Sequence, residues 1–130
     1  MRCIEFGMSI VFIGDVVAIF LFTLLGFASH HSLAGEGIAL RFSATFFPWL
    51  VSYLLIGKRL DVFDVAAAGE RAVIWQAALA MLLASPLAAV LRGFWLNRDV
   101  SPVFVAVMAG VSSLVIVLWR AAYVLWIANR

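Results

Sequence analysis

The chain has 130 residues, of which 66% are hydrophobic and 12% charged, with a mean hydropathy of +1.14. A soluble domain is about half apolar and a quarter charged, so this composition indicates an integral membrane protein and excludes a soluble enzyme, a secreted disulfide scaffold and a disordered tail. Nine Lys and Arg against seven Asp and Glu leave a formal charge of +2, and the scattered basic residues give no footprint for a nucleic-acid partner.

Charge-free runs place four spans at roughly 8–28, 40–57, 72–92 and 102–127, each near the roughly 20 residues that cross a hydrocarbon core of about 30 Å. The expected fold is one all-α domain over residues 1–130, an integral membrane four-helix bundle. In the first span, Arg2, the apolar run and Gly26-Phe27-Ala28 have the look of a secretory signal. The run is long enough to span, however, and carries Asp15 inside it, so it reads as a transmembrane helix. At about 100° per residue, Asp15, Ala18, Phe22, Gly26 and Ser29 share one stripe, with His30 at its edge.

A turn over Leu33 to Arg41, with Gly35 and Gly37, leads to the second span. There Pro48 removes the hydrogen bond to the Ala44 carbonyl, with Thr45 close enough to replace it. Lys58 to Arg71 is the longest connector and is expected to hold a short interfacial helix around Val62 to Ala68. The third span repeats small residues at Ala80, Ala84 and Ala88, a pattern that lets helices approach closely. Its Pro86 releases the Leu82 carbonyl beside Ser85, and Gln76 lies near its inner end, within reach of interfacial water. Both prolines are read as ordinary helix kinks. Gly93 to Ser101 connects to the fourth span, where Pro102 suits a first turn and Arg120 shares a face with Ala106, Ala109, Ser113 and Ile116.

Four spans put both termini on one side. Arg2, Lys58, Arg59, Arg71 and Arg130 fall with them, against Arg41, Arg92 and Arg98 opposite, so the positive-inside rule puts both termini in the cytoplasm. The expected location is the cytoplasmic (inner) membrane of a prokaryote. Trp75, Tyr123 and Trp126 are then expected at the inner interface and Trp95 at the outer one.

Asp15 and Arg120 fall at matched depth on the antiparallel first and fourth helices. Each charge left alone near a helix centre costs about 2.5–3.5 kcal/mol, so mutual pairing inside the bundle is the natural resolution. Such a pair either fixes helix register or relays protons or ions. At the outer end His30 and His31 lie with Glu36, Arg41, Arg92, Arg98 and Asp99, a composition able to meet a lipid head group, a quinone carbonyl or a pigment. Adjacent histidines project about 100° apart and so cannot serve one centre from one face. They read first as interfacial hydrogen-bonding residues. Cys3, the one cysteine, has no ligand-spaced neighbours, so neither a metal site nor an internal disulfide is expected. No nucleophile with its base and no phosphate loop appears, so no catalytic residue is assigned.

Gly14-Asp15, Ala18, Phe22, Gly26 and Ser29-His30 resemble the opening of a prokaryotic four-span family, domain of unknown function 3054. Phe47-Pro48-Trp49-Leu50, Leu91-Arg92, Ser101-Pro102-Val103-Phe104-Val105 and Trp119-Arg120 resemble its later segments in the same order. The resemblance implies four membrane helices and carries no established activity. Three functional readings follow. The first is a non-catalytic accessory or structural subunit of a larger membrane complex, such as a respiratory or photosynthetic assembly, whose partners are lipids and other membrane subunits or copies of itself. The second is a small oligomeric transporter or channel working through Asp15 and Arg120, and the third a membrane enzyme acting on a lipid or quinone at the outer cluster.

Overall fold

Backbone N–H and C=O groups find no water inside a bilayer, so a chain this apolar must satisfy them within helices. The computed structural model describes the backbone of residues 2–29 and 34–130, with side chains at 8–29, 34–64 and 74–130. It holds four helices among those residues: α1 (Arg2–Ser29), α2 (Ile38–Arg59), α3 (Val65–Leu96) and α4 (Pro102–Ala128). Each contains a stretch long and apolar enough to cross a membrane, namely Met8–Ser29, Ile38–Arg59, Ile74–Leu96 and Pro102–Ala128. The protein is a multi-pass membrane protein with an all-α bundle fold.

Small residues and one large one shape the interior. Ala77, Ala80, Ala84 and Ala88 are fully buried along α3, which packs broadly against both α2 and α4. Trp49 of α2, also fully buried, fills the space that those alanines leave. Its ring centroid lies 6.4 Å from that of Phe22 in α1 and 6.3 Å from Phe104 in α4. Between α3 and α4 a serine seam adds polar contacts: Ser85 and Ser112 hydroxyls lie 3.4 Å apart, and Ser113 donates to the Ala78 carbonyl at 3.4 Å. The α1–α2 seam is aromatic instead, with Phe20 edge-on to Phe42 and Phe46, and Phe27 against Phe42.

The helices overrun the apolar runs, because a charge marks the membrane edge without ending a helix. Residues 65–71 hold three alanines and no proline, a composition that propagates a helix past Glu70 and Arg71. The separate interfacial helix expected around Val62 to Ala68 is therefore absent: residues 60–63 form a turn, and Val65 already opens α3. Both of the tight exits from α2 and α3 are Schellman-type ends. Asp61 and Asn97 adopt positive φ of 52° and 50°, and the next amide returns to the helix, Val62 to the Gly57 carbonyl at 2.9 Å and Arg98 to Gly93 at 3.0 Å.

Helical backbone runs on through Pro48 and Pro86. The hydroxyls beside them do not serve the carbonyls that the prolines release. Thr45 donates to the Arg41 carbonyl at 3.0 Å and Ser85 to Met81 at 2.8 Å, because a helical hydroxyl reaches back four residues to the preceding turn. The buried stripe of α4 also differs from expectation in its first half. Ser113, Ile116 and Arg120 are buried, but Ala106 is exposed, and Phe104, Met108 and Ser112 continue the inward row at four-residue steps instead. Tyr123 is buried against Trp119 rather than lying free at the interface, while Trp75, Trp95 and Trp126 are exposed. Gln76, expected within reach of water, has its Oε1 buried with no hydrogen-bond partner among the described residues.

Candidate functional site

Three helices and one turn converge on a charged cluster about two turns in from the termini end of the bundle. Asp15 of α1 and Arg120 of α4 are 1% and 0% exposed. Arg120 Nε donates to Asp15 Oδ1 at 2.9 Å, and Nη2 donates to Asp15 Oδ2, a bidentate pair of the kind guanidinium geometry favours. Tyr53 of α2, fully buried, donates its hydroxyl to Asp15 Oδ2 at 2.8 Å and lies 3.4 Å from Arg120 Nη2. Arg120 Nη1 donates to the Val62 carbonyl at 3.1 Å, so the α2–α3 turn dips into the bundle to close the remaining side.

Local sequence explains why these groups meet. The Schellman end at Asp61 turns the chain back so that Val62 packs on Gly57, where the absent Cβ leaves room for it and for the Phe63 ring. Phe63 in turn packs edge-on against Tyr53 and Phe12, tying the turn to α1 and α2. On the other side, Gly14 accepts the indole of Trp119 directly against the α1 backbone. A Cβ there would lie 1.8 Å from Trp119 Cζ2. The pair expected from matched depth is thus in contact. Tyr53, the Val62 carbonyl and the Gly14–Trp119 contact were not singled out from the sequence, although Tyr53 lies at the same depth on α2 and that depth was the available signal.

Chemically the cluster is closed. Both carboxylate oxygens and all three guanidinium nitrogens are engaged, and the gap beyond it, between Ala18, Met81 and Ile116, has no room for a water. A buried pair of this kind can hold helices in register. A proton or ion relay needs instead a continuous polar path.

The residues expected at the outer face are partly brought together. Arg41, Arg92 and Arg98 line one cleft with Thr45 and Phe104. Glu36 is exposed and does not line it. Asp99 lines a neighbouring hollow with Asn97 and Arg98. His30 and His31 lie outside the described residues.

No curated protein and no solved structure matches the chain. One family model does, over residues 12–123, which takes in the closed cluster, the arginine cleft, all of α2 and α3 and most of α1 and α4. The chain belongs to the family described as Protein of unknown function (DUF3054).

Proposed function

We propose that the protein is a non-catalytic structural or accessory subunit of a larger membrane assembly, in which the Asp15–Arg120–Tyr53 cluster sets helix register. The observation that carries this reading is the saturation of that cluster by its own partners, every carboxylate oxygen and guanidinium nitrogen being engaged. The same observation weighs against a transporter or channel that works through the pair. Association is supported by the outer surface, where Phe94 is 81% exposed and Trp75, Phe47 and Leu118 also face outward. Lipid solvates such side chains too, but outward-facing aromatics present shape for a neighbouring helix to pack on. Gently solubilised from its native membrane, the protein should migrate with other subunits or as a homo-oligomer. A monodisperse monomer in lipid nanodiscs, with no partner recovered by crosslinking, would defeat the reading.

The same reading puts the protein in a prokaryotic cytoplasmic membrane with both termini inside, on the strength of five basic residues against three. Cys3 is the only thiol, which makes the test direct. A membrane-impermeant maleimide should label it in opened cells and inverted vesicles while sparing intact cells. Equal labelling of intact cells would reverse the orientation.

A further inference from the structure

The end of the bundle far from Asp15 holds a cleft of about 220 Å³ to which all four helices and the α3–α4 connector contribute. Arg41, Arg92 and Arg98 line it together with Gly26, Phe104 and Met108. Arg92 is held in place before any ligand arrives. Its Nε donates to Thr45 Oγ1 at 2.9 Å, and its guanidinium lies 5.1 Å above the Phe104 ring centroid. The hydrogen bond to Thr45 uses Nε and not the terminal fork of Nη1 and Nη2.

The contrast with Arg120 is informative. Arg120 is paired with Asp15, whereas no carboxylate lines the cleft that Arg92 and Arg98 share. An arginine near a span end, with a second arginine on the same cleft, is costly by desolvation and by like-charge repulsion. A bound anion relieves both. The cleft wall is otherwise largely apolar, which a small soluble anion would not require but an acyl chain would.

We propose that this cleft binds a membrane phospholipid by its anionic head group. The phosphate sits between Arg92 and Arg98, whose planar forks match phosphate oxygens, and the chain lies along Phe104, Met108 and Val107. Arg92 is about one turn from the end of α3, the depth at which lipid phosphates lie.

The test is native mass spectrometry of the whole chain released from vesicles of equimolar phosphatidylglycerol and phosphatidylcholine. The wild type should retain phosphatidylglycerol in preference, and Arg92→Gln with Arg98→Gln should lower that retention roughly thirtyfold. Arg130→Gln, at the opposite end, should leave it unchanged. Gly26→Leu provides a variant that keeps every charge: Gly26 lines the cleft, and a Cβ there meets nothing within 4 Å, so the larger side chain grows from an open position. It too should lose the lipid while circular dichroism stays native. Equal retention of both lipids by the wild type, or undiminished retention in Gly26→Leu, overturns the proposal. Displacement of the lipid by millimolar inorganic phosphate as effectively as by phosphatidylglycerol makes the ligand a soluble anion and overturns it as well.

Discussion

Arg120→Gln is expected to destabilise the bundle by roughly 3–5 kcal/mol, since it leaves the Asp15 carboxylate buried at membrane depth with its cation gone. Asp15→Asn should cost a similar amount for the mirror reason, because the Arg120 guanidinium keeps only neutral acceptors, the new amide oxygen, Tyr53 and the Val62 carbonyl, and loses its counter-charge. The double variant should be milder than the two single changes added together, as the residues are in direct contact and each single change strands the other's charge. Tyr53→Phe removes one hydrogen bond to Asp15 Oδ2 and leaves the ion pair, so its cost should be about 1 kcal/mol. Reversible unfolding in mixed micelles, titrated with denaturing detergent, gives all four values in one series. Additive single changes would show that the contact does not couple the helices. Single changes that leave unfolding untouched but abolish a transport activity would restore the relay reading.

Hydrophobic periodicity carries the number of helices, their antiparallel order and the depth of each charge, because a bilayer imposes one length on every span and forbids unpaired backbone within it. Matched depth was therefore enough to join Asp15 to Arg120. It was not enough to find the Val62 carbonyl, which comes from a connector whose path depends on one left-handed residue, Asp61, and on a glycine at position 57. Neither has a periodic signature. The inward face of α4 was legible near Arg120 and misplaced near Ala106, since a stripe extrapolated from one end drifts when packing follows four-residue rows. At the end far from Asp15, composition grouped Glu36 with Arg41, Arg92 and Arg98, and the structure lines one cleft with the three arginines and not with Glu36. Depth can be read along a chain, whereas azimuth around the bundle is decided by packing.

Gly14 should be the least replaceable small residue in the bundle. Adding a single methyl there puts Cβ 1.8 Å from Trp119 Cζ2 and 2.2 Å from Cε2, far inside contact distance, with the ring rather than a flexible chain end in the way. Relief requires the indole, and with it α4, to move away from α1. Arg120 is the next residue along α4, so that movement also pulls the guanidinium from Asp15, and packing and pairing fail together. Overpacking alone typically costs about 1–3 kcal/mol, and Gly14→Ala should reach the top of that range. Gly26→Ala is the internal control on the same helix: its Cβ meets nothing within 4 Å, and the better helix propensity of alanine should make it neutral or slightly stabilising. If the clash is the cause, Trp119→Leu should partly rescue Gly14→Ala by vacating the ring, so that the double variant is more stable than Gly14→Ala alone. Equal stabilities for Gly14→Ala and Gly26→Ala would show that α1 and α4 do not meet at this point, and the register that places Asp15 against Arg120 would fall with it.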